Sequence, residues 1–214
     1  KQVSPSIVNL QDEVADVSEL NMFKEIMESP PKIHGGGTIT WGLGEDVLRF
    51  MFKYLNPALK TLETGCGTST LVFALKQTAH FVITPSTDEM ERIQQYCVEK
   101  KMPIEKLSFR IGKSEDVLPR FEVNDFDLVL IDGCHAFPVP FLDWYYLAEK
   151  LKVNGLLIVD DIQLWPCRIL SEFLMREPEW EVVTTFARSV AFRKLKSVPA
   201  KEWTDQPFVV EYSK

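Results

Sequence analysis

The stretch Thr61 to Leu75, TLETGCGTSTLVFAL, constrains the fold of this chain most. A short apolar strand leads through Gly65-Cys66-Gly67 directly into a helix that opens at about Thr68. The glycines allow a tight turn and close approach to a ligand, and the helix start presents unpaired N–H groups. The pattern predicts a nucleotide-type cofactor site at this edge. The alternative is an ordinary strand-to-helix turn that needs glycine for its dihedral angles.

The glycine spacing excludes two common phosphate-binding motifs. A dinucleotide fingerprint needs Gly or Ala at the position of Thr70, and a P-loop needs a Gly-Lys pair, which is absent here. The remaining pattern resembles motif I of the class I S-adenosylmethionine-dependent methyltransferases, which reads acidic-x-Gly-x-Gly after the first strand. The resemblance implies that S-adenosylmethionine lies along a continuous run of five residues, Glu63, Thr64, Gly65, Cys66 and Gly67.

Short apolar runs alternate with helical patterns, which is typical of βαβ units and a mostly parallel sheet. We expect a Rossmann-like, doubly wound α/β fold with a seven-stranded sheet and helices on both faces. The end of the chain predicts an appended antiparallel hairpin, as in class I methyltransferases. The predicted parallel strands are 60–64, 80–84, 107–111, 126–131 and 155–160. The predicted helices are 18–28, 43–54, 69–77, 87–101, 114–119, 138–152 and 164–175.

The length of 214 residues favours one domain. We expect an N-terminal extension with one helix over 1–40, a methyltransferase-like domain over 41–195 and a C-terminal tail over 196–214. Asn154-Gly155 is interpreted as the turn that ends the fourth crossover helix and starts the fifth strand.

Composition narrows the classes of partner. A formal net charge of −7 argues against a nucleic-acid substrate, although Arg193, Lys194, Lys196 and Lys201 form a local basic cluster. No apolar run approaches the roughly 18 residues of a membrane span. Four scattered cysteines without paired spacing indicate a reducing, cytoplasmic setting. The first residue, Lys1, leaves an excised targeting segment open, and a homo-oligomer is equally open.

Polar side chains follow the fourth and fifth predicted strands. Asp132-Gly133-Cys134-His135 ends one, and Asp160-Asp161 ends the other. Ligands of open α/β sheets bind outside the carboxyl ends of the strands, so these groups are expected in one cleft. Repulsion among the carboxylates would be relieved by a divalent cation, with magnesium, calcium or manganese favoured by oxygen ligands.

These segments resemble the metal-dependent small-molecule O-methyltransferases, which carry aspartate after strand four and an acidic pair after strand five. The resemblance implies Asp132, Asp160 and Asp161 as metal ligands. His135 and Asp132 are the candidate catalytic residues, because a neutral imidazole at 135 could take the proton of a substrate hydroxyl or ligate the metal. The alternatives are a loop-bound histidine and an aspartate N-cap. His34 and His80 are interpreted as structural.

The cofactor's ribose has no obvious acceptor. The family's acidic residue after strand two falls near Ser86, and the nearest carboxylates are Asp88 and Glu89. We therefore expect the ribose contact from Ser86 or from Asp88 at the start of the following helix. The stretch after strand three resembles the family's adenine segment with Lys113 in place of aspartate, which implies Ser114 and Glu115 at the adenine. No Asn-Pro-Pro-Tyr or Asp-Pro-Pro-Tyr follows strand four, so the signature of base-amino methylation is missing.

Three functions are compatible with this sequence. The first is O-methylation of a small hydroxylated molecule, with Trp41, Phe137 and Trp165 as a candidate aromatic wall. The second is a non-catalytic interaction protein on the same fold, motivated by the ribose position and Lys113. The third is methylation of a protein or a nitrogen atom without metal.

Overall fold

The computed structural model describes residues 17–35, 42–197 and 201–213. Its centre is a seven-stranded sheet in the order β3-β2-β1-β4-β5-β7-β6. Only β7 runs against its neighbours, so the predicted mixed sheet with a C-terminal hairpin is confirmed. The strands are β1 Lys60–Thr64, β2 Ala79–Thr84, β3 Leu107–Ile111, β4 Phe126–Ile131, β5 Leu151–Val159, β6 Trp180–Thr185 and β7 Val190–Lys194.

The helices cover both faces of the sheet. Along β4, Leu128 and Leu130 belong to one core, and Val129 and Ile131 to the other, because successive strand side chains alternate between faces. None of the helices in the described ranges is long and apolar enough to cross a membrane. The helices are α1 Val17–Glu28, α2 Glu45–Tyr54, α3 Thr68–Leu75, α4 Thr87–Glu99, α5 Ser114–Val117, α6 Val139–Lys150, α7 Trp165–Arg176 and α8 Pro207–Tyr212.

The junction between α6 and β5 differs from the prediction. The helix ends at Lys150 and the strand begins at Leu151 without a connecting turn. Asn154 has a φ of 69° and lies where the pairing with β4 shifts between Phe126 and Leu128. Asn154-Gly155 therefore forms a strand irregularity, and its interpretation as a helix-ending turn was wrong. Asparagine and glycine suit both features because both need a left-handed backbone.

Both ends of the described chain pack onto the sheet domain. Phe23 of α1 stacks on Phe52 of α2 with ring centroids 4.3 Å apart, so the N-terminal helix contributes to the core. The C-terminal tail contains α8, whose Phe208 makes an edge contact with Phe173 of α7. The predicted boundary near residue 40 falls outside the described residues.

Candidate active site

A cleft of about 590 Å³ opens at the carboxyl ends of β1, β2 and β4. This volume is within the range of small-molecule sites, and the position is the one expected for an open α/β sheet. Seven of the predicted site residues line it: Gly65, Cys66, Ser114, Glu115, Asp132, His135 and Asp161. His34 and Glu89 also line it, and neither was among the predicted site residues.

The glycine turn is locked to the loop after β4. The Gly65 amide donates to the Ile83 carbonyl at 2.9 Å, and the Asp132 amide donates to the Thr64 carbonyl at 3.1 Å. Gly65 has a φ of 87°, and a Cβ there would lie 2.1 Å from the Asp132 carbonyl oxygen. The fold itself therefore requires glycine at 65, in addition to any requirement of a ligand.

Glu63 lies in the core behind the glycine turn, not in the cleft. Its carboxylate is fully buried and accepts hydrogen bonds from Ser69 at 2.6 Å and from Thr70. The Nε2 atom of buried His80 lies 3.2 Å from the same carboxylate. Glu63 thus ties β1 to the first turn of α3 and to β2, and its predicted contact with the cofactor gains no support from this geometry.

The acidic group that faces the cleft after β2 is Glu89. Ser86 is the N-cap of α4, where its hydroxyl accepts from the Glu89 amide at 3.2 Å. The Asp88 side chain is 80% exposed and lies 3.8 Å from Arg92. The geometry of α4 therefore places Glu89 at the cleft, where the sequence had led us to expect Ser86 or Asp88.

His34 reaches the same end of the cleft from the N-terminal strap, which comprises residues 31–35. Its Nδ1 lies 2.9 Å from Glu89 Oε1. Its Nε2 lies close to Gly67, because a Cβ on that glycine would come within 3.2 Å of it. The sequence interpretation of His34 as structural missed this placement, since the contact joins residues 55 positions apart. His80, interpreted in the same way, is buried and stacks on Phe73.

A second buried carboxyl lies under the adenine segment predicted around Ser114 and Glu115. Asp143 of α6 is fully buried. Burial raises its pKa to about 6, although the neighbouring hydroxyls of Ser114 and Thr64 act in the opposite direction. No sequence motif marked this residue, because an aspartate within an amphipathic helix is usually exposed.

Asp132, His135 and Asp161 converge at the other end of the cleft. One ligand atom from each lies within 4.8 Å of the other two. His135 Nε2 is 3.0 Å from Asp161 Oδ2, while Asp161 Oδ1 accepts from Gln163 at 2.5 Å and lies 3.7 Å from Arg188. Burial and then the nearby carboxylates of Asp160, Glu63 and Asp161 raise the pKa of Asp132 well above its ordinary value. A cation would relieve this crowding of negative charge.

Asp160 is separated from this group. It is buried and accepts a hydrogen bond from Ser189 at the start of β7, and burial raises its pKa. Asp161 follows with a φ of 54°, so the two consecutive aspartates have different surroundings. Of the three predicted metal ligands, Asp132 and Asp161 lie with His135 in this group, and Asp160 lies outside it.

Two buried cysteine thiols adjoin the site. Cys167 Sγ lies 3.7 Å from His135 Nδ1, and burial raises its pKa to about 12. Cys66 lies between Thr84 and Glu89, and burial likewise raises its pKa to about 12. Both thiols remain protonated at neutral pH, so they pack against the site without acting as nucleophiles.

The sequence of this site region matches a known family. Residues 62–162, from β1 to the loop after β5, match the family described as a methyltransferase domain. Over this stretch the chain is similar to methyltransferase domains, in agreement with the resemblance seen in the sequence. The match spans the glycine turn, Glu89, Asp132, His135 and Asp161, whereas His34 lies outside it.

Solved structures of methyltransferases share the fold of this chain at low sequence identity. An S-adenosylhomocysteine-bound methyltransferase of Podospora anserina is 14% identical, with 92% of this chain and 100% of that chain covered and a TM-score of 0.62. A Geobacter sulfurreducens methyltransferase is 15% identical, with 85% and 91% covered and a TM-score of 0.61. The O-methyltransferase TomG of Streptomyces achromogenes, in complex with SAM, is 14% identical, with 85% and 91% covered and a TM-score of 0.60.

A search of curated protein sequences found no significant match. The structural similarities establish the fold of this chain and nothing about its substrate.

Two residues of the predicted aromatic wall form an exposed pair and are not among the residues that line the cleft. Phe137 and Trp165 are 64% and 53% exposed, and their ring centroids are 5.9 Å apart. They follow the two segments that supply His135 and Asp161. Trp41, the third member of the predicted aromatic wall, lies outside the described residues.

Proposed function

We propose that this methyltransferase transfers a methyl group to the hydroxyl oxygen of a small molecule. The observation that carries the proposal is the convergence of Asp132, His135 and Asp161 in the same cleft as the glycine turn and Glu89. One end offers groups suited to the cofactor, and the other offers groups suited to removing a proton. The negative net charge supports a small acceptor over a nucleic acid.

The cofactor end is assigned as follows. S-adenosylmethionine lies along the loop of Gly65 to Gly67, and the Glu89 carboxylate accepts from the ribose hydroxyls. A charge-assisted hydrogen bond of this kind is about twice as strong as a neutral one, which favours Glu89 over Ser86. Ser114 and Glu115 flank the adenine, consistent with their position in the cleft.

The reacting end supplies a base. S-adenosylmethionine would supply the methyl group and be released as S-adenosylhomocysteine, and the His135 imidazole would accept the proton of the substrate hydroxyl. The Asp161 carboxylate, 3.0 Å from that ring, stabilises the imidazolium. Positioning of the two reactants can remove several kcal/mol of the barrier, and the base adds roughly 10²- to 10⁴-fold in rate.

The same three side chains fit a divalent cation. Two carboxylates and one imidazole are a donor set for manganese or another borderline metal, whereas magnesium and calcium prefer oxygen alone. When bound, such a cation would lower the pKa of a coordinated substrate hydroxyl. Asp132, His135 and Asp161 would hold it, and Gln163 and Arg188 would orient Asp161.

The test is transfer of labelled methyl groups from S-adenosylmethionine to a panel of phenols, catechols and aliphatic alcohols. The native protein is assayed with manganese, with magnesium and after chelation, beside His135→Ala and the cleft control Cys134→Ser. We expect turnover that falls at least about 100-fold in His135→Ala and is unchanged in Cys134→Ser. Absence of both turnover and S-adenosylhomocysteine binding would support the non-catalytic alternative instead. Full turnover in His135→Ala would remove the assigned base.

A further inference from the structure

The N-terminal strap is fastened over the cofactor end of the cleft by contacts that do not involve His34. Ile33 is buried in the core, and its carbonyl accepts a hydrogen bond from Arg92 Nη1 at 2.8 Å. Gly35 packs against the same guanidinium, since a Cβ there would lie 3.3 Å from Arg92 Nη2. Arg92 of α4 therefore holds the strap through the residues on both sides of His34. The His34 imidazole is not needed for this attachment.

The two oxygens of Glu89 have unequal partners. Oε1 lies 2.9 Å from His34 Nδ1, an ordinary length for a hydrogen bond from an imidazole N–H to a carboxylate. Within the described residues, the hydrogen-bond contact of Oε2 is with the Cys66 thiol at 3.5 Å, a weak donor. A carboxylate fixed through one oxygen presents the other in a defined direction. Glu89 is therefore held with Oε2 available to a hydroxyl donor in the cleft.

The other ring nitrogen of His34 completes the arrangement. Nε2 lies against Gly67, the residue at which α3 begins. His34 thus touches both the acidic group and the glycine turn, and it is one quarter exposed at the cleft. A side chain placed for packing alone would not need a donor at Nδ1.

We propose that His34 is a positioning residue of the cofactor site: its Nδ1–H fixes Glu89 Oε1 so that Oε2 receives the ribose hydroxyls of S-adenosylmethionine. This inference rests on the proposed function. It adds to the methyltransferase domain a residue from the strap, outside the family match of residues 62–162.

The experiment is calorimetric titration of the full chain with S-adenosylhomocysteine. The variants are His34→Phe, which keeps a ring without a donor, and His34→Asn, whose amide nitrogen can occupy the position of Nδ1. Glu89→Gln and the double variant His34→Phe with Glu89→Gln complete a cycle that measures coupling between the two residues. Thermal unfolding of each variant separates loss of the fold from loss of binding.

We expect His34→Phe to weaken binding about three- to tenfold and His34→Asn to remain within about twofold of the native affinity. In the Glu89→Gln background, His34→Phe should have no further effect, because the ring acts through Glu89. Unchanged affinity in His34→Phe overturns the inference. Equal losses in His34→Phe and His34→Asn, or additive effects in the double variant, also overturn it by assigning His34 a packing or independent role.

The outcomes also separate the inference from the proposed function. If the native protein does not bind S-adenosylhomocysteine, the proposed function fails and the inference fails with it. If the native protein binds and Glu89→Gln has no effect, the ribose assignment and the role of His34 are both wrong, while the proposed methyl transfer stands. If the native protein binds, Glu89→Gln weakens binding and His34→Phe leaves the affinity unchanged, only the role assigned to His34 is wrong.

Discussion

Two sets of polar groups near the glycine turn have opposite surroundings. The buried set, Glu63, His80 and Asp143, is enclosed by the core, whereas the cleft set, His34, Glu89, His135 and Asp161, faces the pocket. Both sets consist of acids and histidines. The difference teaches that residue type and motif position do not by themselves identify a ligand-binding group in this fold.

The backbone around each residue explains the division. Glu63 and His80 are within strands, whose side chains are directed onto a covered face of the sheet. Glu89 and Asp161 lie beyond the carboxyl ends of β2 and β5 and line the cleft. In the buried set, Glu63 accepts hydrogen bonds from neighbouring hydroxyls, whereas neither oxygen of Asp143 has a hydrogen-bond partner within the described residues. The groups of the cleft set are available to a ligand.

The largest effect on stability is expected from Glu63→Ala. It removes the acceptor of two buried hydroxyls and the neighbour of His80, and should lower the free energy of unfolding by roughly 4 kcal/mol. Glu63→Gln keeps an acceptor and should cost less. Denaturant unfolding measures both. If Glu63→Ala lowers the free energy of unfolding by less than about 1 kcal/mol, Glu63 does not have the stabilising role assigned to the buried set.

Asp143→Asn tests the buried set through pH. The pKa of Asp143 is about 6 in the folded protein, above its ordinary value of 3.8. Between pH 3.8 and pH 6, unfolding therefore releases a proton from this carboxyl. The carboxyl destabilises the fold progressively as the pH rises through this range. Asp143→Asn has no carboxyl at this position, so its stability does not fall with pH for this reason. Its stability relative to the native protein should rise by about 2 kcal/mol from pH 4 to pH 7. Parallel stability curves over that range would contradict the shift.

Manganese tests the reacting end of the cleft set. At about 100 times its dissociation constant, a ligand that binds only the native state adds about 2.7 kcal/mol to stability. We expect manganese to raise the thermal midpoint of the native protein and not of Asp161→Asn. Asp88→Asn, which changes an exposed carboxylate away from the site, is the matched control and should respond like the native protein. An equal response in Asp161→Asn would exclude the proposed ligand set.

Glu89→Gln should have the smallest effect on stability and a clear effect on binding. The exposed side of Glu89 faces the cleft, so unfolding should change by less than about 0.5 kcal/mol. Affinity for S-adenosylhomocysteine should fall about tenfold, or roughly 1.4 kcal/mol. Titration and unfolding of the same preparation measure both quantities. The reverse result, a large stability loss with unchanged affinity, would move Glu89 into the buried set.

The strands could be predicted well because both faces are covered and each reads as a short apolar run. Residues 60–64, 107–111 and 126–131 have the bounds expected from sequence. The β5 boundary was missed because Asn154-Gly155 suits both a helix end and a strand irregularity.

The candidate site was predicted in outline only. Asp132, His135 and Asp161 follow strand ends and were found from that rule. Asp160 lies apart from this group, because a left-handed φ at Asp161 gives the two neighbouring aspartates different surroundings. Glu89 was noted only as a carboxylate near Ser86, and the structure makes Ser86 the N-cap of α4 while Glu89 lines the cleft. His34 depends on a contact across 55 residues, for which one sequence carries no signal.

A crystal structure of the full chain with S-adenosylhomocysteine tests the central claim most directly. The account predicts that both ribose hydroxyls lie within hydrogen-bond distance of Glu89, with the sulfur directed toward His135 and Asp132. The cofactor product bound elsewhere, or a ribose turned away from Glu89 in this cleft, would contradict it.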